Sequence, residues 1–266
     1  MKKYFKAAVL QKLNKELFID KISFPENLSY GQVLVKIKYS GICGSQIGEI
    51  QGVKGPDNYL PHLLGHEASG FVVDCGEGVK KVKKNDKVII HWMKTEGVEC
   101  ETPKFTNING KKINSGNAVT FSEYAIISEN RITKILNGIS LLDACLFGCT
   151  IPTSFGMLNN EARIKIGEKV LIFGAGSIGQ ASAFTSEILG ASSILVIDKN
   201  KKKFSALKKS NIVKCLLYAN NENFFNKLKK FNTDLIVETT GSTEVIKTSY
   251  ELIKGHGRLL LVGVPN

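Results

Sequence analysis

An apolar run, Lys169-Val170-Leu171-Ile172-Phe173, breaks at Gly174-Ala175-Gly176-Ser177-Ile178-Gly179 and gives way to small and apolar residues at helical spacing over 178–189. This break constrains the fold more than any other feature. A buried strand that turns within a few residues into a helix belongs to a parallel sheet. Gly174 permits the tight turn, Gly176 lets the backbone approach a pyrophosphate, and Gly179 lets the helix pack close to the sheet. The helix start, with Ser177 and Ile178, then presents amides and a positive dipole end to phosphate. Asp198 closes the next strand-like run, 24 residues beyond Gly174. An acid there accepts hydrogen bonds from the ribose 2′- and 3′-hydroxyls and repels a 2′-phosphate, which favours NAD over NADP.

The rest of the second half repeats the pattern. Strands are expected at 193–198, 216–218, 234–238 and 258–262, and a second helix starts over 201–207. Alternating β and α segments predict a doubly wound parallel sheet. The first half differs. Val33-Leu34-Val35-Lys36-Ile37-Lys38-Tyr39 alternates in the strand manner, and further strands are expected at 70–74, 87–90 and 123–127. The N-terminal Met1 to Leu10 meets Lys12, Lys15 and Glu16 too early for a signal peptide and reads as a first strand. Residues 1–150 are therefore expected to form a small, partly open β-barrel and residues 151–266 the parallel sheet. The halves meet near 148–156, where a helix is expected to bridge them.

Composition narrows the function. A chain of 266 residues suits two domains, and no window approaches 18 uncharged apolar residues, so no membrane span is expected. The net charge of +12 raises the question of nucleic acid. Its lysines are spread along the chain without interleaved aromatic residues, which argues against a nucleic-acid partner. The densest run, Lys199 to Lys203, reads as a solvated helix start. Six cysteines at irregular spacing do not form a disulfide framework, and free thiolates suit a reducing cytoplasm.

Three separated segments carry the remaining chemistry: Gly41-Ile42-Cys43-Gly44-Ser45, Gly65-His66-Glu67 and Gly148-Cys149-Thr150. Together they offer two thiolates, an imidazole and a nearby carboxylate, a donor set suited to a catalytic zinc with an open position. Cys75, Cys145 and Cys215 lie in apolar or strand-like runs and read as small hydrophobes. His62 reads as shaping the loop before His66, and His256 as a turn residue.

With these motifs the chain resembles the zinc-dependent alcohol dehydrogenase branch of the medium-chain dehydrogenase/reductase family, from the first strand through Val262-Gly263-Val264-Pro265. The resemblance implies a GroES-like catalytic domain followed by a Rossmann NAD-binding domain. It implies Cys43, His66 and Cys149 as ligands of one zinc, and Glu67 as a carboxylate able to approach the metal. Ser45 would meet the substrate oxygen and begin a proton relay. Thr153 and Ile178 would flank the nicotinamide, the backbone around Val262 and Val264 would hold its carboxamide, and His91 and Trp92 would line the substrate pocket. The implied reaction is hydride transfer between an alcohol and NAD, or the reverse from an aldehyde or ketone.

Four departures from the family pattern stand out. Residues 95–112 contain only Cys100 where relatives carry four structural-zinc cysteines, so no second zinc is expected there. Gln46 replaces an acid that supports the zinc histidine. Gly48 stands where some relatives end their proton relay with a histidine. Relatives also continue beyond the Val-Gly-Val-Pro segment, adding a last strand and a return into the catalytic domain, so a truncated Rossmann domain is expected. The family's homo-oligomer, built on the cofactor domain's sheet edge, is implied for a longer chain. Two alternatives stay open: a polyol, sugar or amino-alcohol dehydrogenase of the same family, and a non-catalytic NAD-binding remnant.

Overall fold

Strand-forming residues alternate through the first half of the chain and pair there as antiparallel sheets. The computed structural model describes residues 3–53 and 55–264. Met1 and Lys2 of the expected first strand, and Pro265 of the Val-Gly-Val-Pro segment, lie outside the described residues. The chain divides into two compact units, Met1–Cys149 and Thr150–Asn266.

In the first unit, β1 (Tyr4–Leu10) pairs with β2 (Phe18–Ser23) and with the short β4 (His62–Leu63). A second sheet runs in the order β10-β6-β5-β3-β9, built from β3 (Gln32–Ser40), β5 (Ala68–Cys75), β6 (Lys87–Ile90), β9 (Tyr124–Ser128) and β10 (Ile132–Lys134). Its central strands bury residues on both faces. Val33 and Val35 pack with Val72, Val88, Ile90 and Ile127, while Leu34 and Ile126 join Phe5, Val9 and Ile22 in a neighbouring cluster. Two helices complete the unit, α1 (Gly44–Ile50) and α2 (Leu141–Cys145). The α2 helix begins at Ser140, whose side chain accepts the Asp143 amide.

Residues 95–113 show how this unit orders a segment that carries a single cysteine. Two short strands, β7 (Phe105–Thr106) and β8 (Lys112–Ile113), pair with each other. Phe105 and Ile113 are buried beside Phe5 and Ile22. The turn between the strands is tied by Asn107. Its Oδ1 accepts the Asn109 and Lys111 amides, both at 3.0 Å, and its Nδ2 donates to Asp20 at 3.1 Å. Cys100 packs its sulfur against the Ser128 hydroxyl at 3.0 Å.

The second unit is a parallel sheet in the order β13-β12-β11-β14-β15: β11 (Lys169–Phe173), β12 (Ser193–Asp198), β13 (Val213–Leu217), β14 (Leu235–Glu238) and β15 (Arg258–Leu261). Chain order reverses between β11 and β14, the point at which open α/β sheets hold ligands. The continuous apolar runs follow from burial on both faces. Val170, Ile172, Val196 and Val237 meet Leu158 and Ala183 on one side. Leu171, Phe173, Leu195 and Ile236 meet Phe224, Leu228 and Val245 on the other. The helices are α3 (Thr150–Gly156), α4 (Ser177–Ile188), α5 (Glu222–Phe231) and α6 (Thr243–Leu252). One expectation is corrected: 201–207 is two 3-10 turns, Lys201–Phe204 and Leu207–Lys209, instead of an α-helix. Asn200 accepts the Lys202 amide, Lys203 reaches back to Asp198, and like charges on one turn disfavour propagation. The strand expected at 216–218 begins earlier, at Val213.

Glu129 is the buried polar anchor of the first unit. Its carboxylate accepts the amides of Lys80 (2.5 Å), Lys81 (2.7 Å) and Val98 (2.8 Å). Burial raises its pKa, but those amide bonds and the Lys81 charge outweigh it, and the net shift is downward. A depressed carboxylate pKa contributes stability above the unfolded-state pKa and loses it as pH falls through the folded-state value. Glu129→Ala is expected to cost about 3 kcal/mol or more at neutral pH, because three amides lose their acceptor. In urea titrations the gap between wild type and variant should narrow under acid conditions, and an equal gap at both pH values would refute this role.

Candidate active site

Each of the three expected metal ligands sits at the end of a rigid element. β3 ends at Ser40, and Cys43 is the residue that opens α1. His66 lies between β4 and β5, and Cys149 follows a 3-10 turn, Leu146–Gly148, after α2. One ligand atom from each lies within 4.8 Å of the other two. His66 Nε2 is buried and makes no hydrogen bond among the described residues. Two sulfurs and an imidazole with an unsatisfied nitrogen form a donor set that fits zinc.

The protonation states match that fit. Cys43 is held down to about 3, chiefly by the Cys149 sulfur and then by the His66 imidazole, with Ser45 adding to the effect against burial. Cys145 goes the other way. Burial, and then the charge of Glu67, push its thiol up to about 11. Metal binding requires the thiolate, so the two neighbouring cysteines are sorted by environment.

Glu67 sets the spacing of the ligand loops. Its side chain is buried, and a Cβ at Gly41 would collide with its carboxylate. A Cβ at Gly148 would strike the Glu67 backbone and Cβ as well as the Ile90 carbonyl. The glycines beside Cys43 and Cys149 are therefore spacers. The Glu67 carbonyl accepts the Gly41 amide at 3.0 Å and the Ser40 hydroxyl at 3.1 Å.

Ser45 lies on the exposed side of α1 and hydrogen-bonds the Cys43 sulfur. Gln46 is the buried residue of that helix, and its Oε1 has no hydrogen-bond partner among the described residues. His91 is buried with both nitrogens engaged, Nδ1 with the Met93 carbonyl at 2.7 Å and Nε2 with the Thr133 hydroxyl at 3.1 Å. Burial lowers its pKa, keeping the ring neutral between β6 and β10. Trp92 beside it is 47% exposed.

The second unit assembles the other group of residues at its switch point. Gly174 takes φ +98°, and a Cβ there would collide with the Thr239 hydroxyl, which donates to the Phe173 carbonyl at 2.8 Å. A Cβ on Gly179 would collide with the Gly174 carbonyl. Gly176 and Ser177 are exposed at the start of α4, and Ile178 is half-buried. The Ser154 hydroxyl donates to the Ile178 carbonyl at 3.3 Å, which ties α3 to the start of α4.

Asp198 is tied into the same turn. Its Oδ2 accepts the Ala175 amide at 2.8 Å and Lys203 Nζ at 3.2 Å, and its Oδ1 accepts the Asn200 amide at 2.8 Å. Burial opposes ionisation, but these partners hold its pKa below the usual carboxylate value.

Sequence reasoning missed Glu238, which is fully buried at the end of β14. Its carboxylate accepts the Thr240 amide (2.7 Å), the Thr240 hydroxyl and the Gly241 amide (3.2 Å). Its carbonyl accepts the amides of Val262 (2.8 Å) and Gly263 (3.1 Å). This pins 262–264 beside the β14 turn, with Val264 exposed. An acid closing an apolar strand before Thr239-Thr240-Gly241 was the signal available.

Comparison with known proteins agrees with both halves. Residues 29–137 match the family model for the alcohol dehydrogenase GroES-like domain. An S-(hydroxymethyl)glutathione dehydrogenase from Photobacterium damsela subsp. piscicida is 30% identical over 268 residues, 88% of this chain and 71% of that one. The chain belongs to the zinc-dependent alcohol dehydrogenase branch of the medium-chain dehydrogenase/reductase family. Galactitol-1-phosphate dehydrogenase from Escherichia coli is 25% identical with a TM-score of 0.74, covering 98% of this chain and 76% of that one. Benzyl alcohol dehydrogenase from Acinetobacter calcoaceticus shares the fold of this zinc alcohol dehydrogenase family member, at TM-score 0.83 and 21% identity over 99% of this chain and 78% of the other.

Two outcomes are expected from this geometry. In metal-free protein, iodoacetamide should label Cys43 at mildly acid pH and leave Cys145 unlabelled until strongly alkaline pH. Equal labelling of the two at one pH would contradict the sorting. Gly148→Ala should destabilise by about 2 kcal/mol by overpacking against Glu67, read as a lower urea midpoint together with loss of bound zinc on dialysis.

Proposed function

We propose that this chain is an NAD-dependent alcohol dehydrogenase with a catalytic zinc on Cys43, His66 and Cys149. The observation that carries the reading is that these three donors converge within 4.8 Å while a glycine turn, Gly174 to Gly179, opens a twelve-residue helix at the switch point of a parallel sheet. Zinc would supply Lewis acidity that eases loss of the alcohol proton, and NAD would accept the hydride.

The chain's own residues take the other roles. Cys43 and Cys149 bring two negative charges and His66 a neutral nitrogen, so the donor set binds a dication while keeping a net charge near zero. Glu67 holds the ligand loops apart and lies close enough to answer a change at that set. Ser45, exposed at the start of α1 and hydrogen-bonded to the Cys43 sulfur, would accept the substrate proton and pass it to solvent. Gly48 provides no further proton acceptor beyond it, so the relay ends in water.

At the cofactor site, the amides of Gly176 to Gly179 face the pyrophosphate with the dipole of α4. Asp198 holds the glycine turn through Ala175 and keeps lone pairs for the ribose hydroxyls. Thr153 and Ile178 would flank the nicotinamide, and the backbone at Val262 and Val264 would hold its carboxamide. A second reading, a polyol or amino-alcohol dehydrogenase, is favoured by the cavity at His66. Its wall includes Gln46, Asn58, Asn114 and Ser115, which suit a hydroxylated substrate.

The test is alcohol-dependent formation of NADH by the purified protein across simple alcohols, polyols and amino alcohols. Turnover should vanish in Cys43→Ser while NADH binding, followed by fluorescence, persists. Asp198→Ala should weaken that binding about tenfold, the loss of one charge-assisted hydrogen-bonded pair. NADH binding without turnover on any alcohol would leave a nucleotide-binding protein and remove the catalytic reading.

A further inference from the structure

A second group of donors lies on the wall of a cavity of about 560 Å³ that also reaches His66. It comprises Glu49 from α1, Asp57 from the loop that follows, and His62 at the start of β4. One ligand atom from each lies within 4.8 Å of the others. The His62 side chain is 7% exposed, that of Asp57 15% and that of Glu49 40%.

The His62 ring poses a chemical problem. Its Nδ1 is 3.1 Å from the Leu63 carbonyl, and its Nε2 is 2.8 Å from Asp57 Oδ2 and 3.8 Å from Glu49 Oε1. Carbonyl and carboxylate oxygens are acceptors only, whereas a neutral imidazole has a single N–H to give. One nitrogen lone pair therefore faces an oxygen lone pair unless positive charge sits at the ring. With the proton on Nδ1 and directed at the Leu63 carbonyl, Nε2 is free to ligate. A backbone carbonyl fixing the tautomer in this way is a recurrent support for metal-binding histidine.

The surroundings call for a cation in place of a proton. Two carboxylates with a neutral imidazole balance a 2+ charge, whereas an imidazolium leaves the group with net −1. Gln46 stands three residues before Glu49 on α1 and lines the same cavity. It is 6% exposed, with an Oε1 that has no partner among the described residues. In a chain of net charge +12, no described lysine or arginine lines this cavity. The spacing also suits a metal. Ligands about 2.1 Å from an ion stand roughly 3.0 to 3.4 Å apart, and the half-exposed Glu49 can close its 3.8 Å gap by turning.

We propose that Glu49, Asp57 and His62 form a second, thiolate-free divalent-cation site on the cavity that His66 lines. The site is separate from Cys43, His66 and Cys149, and from the cysteine-poor 95–112 segment. Its oxygen-rich donors suit manganese or zinc, with water completing the coordination.

Manganese is the discriminating probe, because it prefers oxygen and nitrogen over thiolate. Zinc-loaded protein is titrated with Mn²⁺ alone, followed by electron paramagnetic resonance of the free ion. One equivalent should bind, and Asp57→Asn and Glu49→Gln should each weaken binding about tenfold or more. Both substitutions keep side-chain size, and an unchanged urea midpoint confirms that each variant folds. Cys43→Ser should leave Mn²⁺ binding intact, so failure of the thiolate site and failure of this one are told apart. No Mn²⁺ binding at millimolar concentration would overturn the proposal, as would binding that neither carboxylate variant weakens. A His62 ring carrying both protons at neutral pH with Mn²⁺ present, seen by ¹⁵N resonance, would also overturn it and assign the charge to a proton.

Discussion

The packing of Glu67 between two glycines is the constraint on which the first unit's chemistry depends. Cys43 and Cys149 are distant in sequence and come together from different elements, Cys149 buried and Cys43 partly so. What fixes their approach is the thickness of one glutamate side chain, with no Cβ on Gly41 or Gly148 to widen the gap. The Glu67 carbonyl fastens the same place from the other side through Gly41 and Ser40. Chemistry and packing meet in one residue, since the carboxylate that spaces the loops also adds to the burial that holds the Cys145 thiol protonated.

The second unit solves a related problem with buried acids at strand ends. Glu238 and Asp198 each close a strand and accept backbone amides, Glu238 from the turn that follows it and Asp198 from its own turn and the glycine turn after β11. Backbone N–H groups tie both carboxylates to the turns, and at Asp198 the Lys203 ammonium adds to them. The switch point between β11 and β14 is consequently preformed: Thr239 is bonded to the β11 carbonyl, and 262–264 is bonded to β14.

Much of this was legible in the sequence, for reasons that can be named. Glycines beside Cys43, His66 and Cys149 advertise tight approach, and the Gly174 turn lies within one strand-turn-helix of local chain. The β11, β12 and β14 runs are uninterrupted because both faces are buried. Long-range pairings left weaker traces. Nothing local to Glu129 reveals that residues 80, 81 and 98 donate to it, and His62 reads as a loop residue until Glu49 and Asp57 are brought beside it. The 201–207 expectation failed because helical spacing of Phe204 and Leu207 was outweighed by adjacent lysines and by the pull of Asp198 on Lys203. The Met93 and Thr133 bonds of the His91 ring are likewise invisible in the local sequence.

The Asn107 turn carries one further consequence. The lobe over 95–113 is fastened by an amide side chain and two apolar residues, Phe105 and Ile113. Amides and hydrocarbons neither oxidise readily nor compete for scarce ions. The Asn107 turn therefore rests on groups that resist oxidants, and oxidation would reach the sulfurs of Cys43, Cys149 and Cys100 before it reached these contacts.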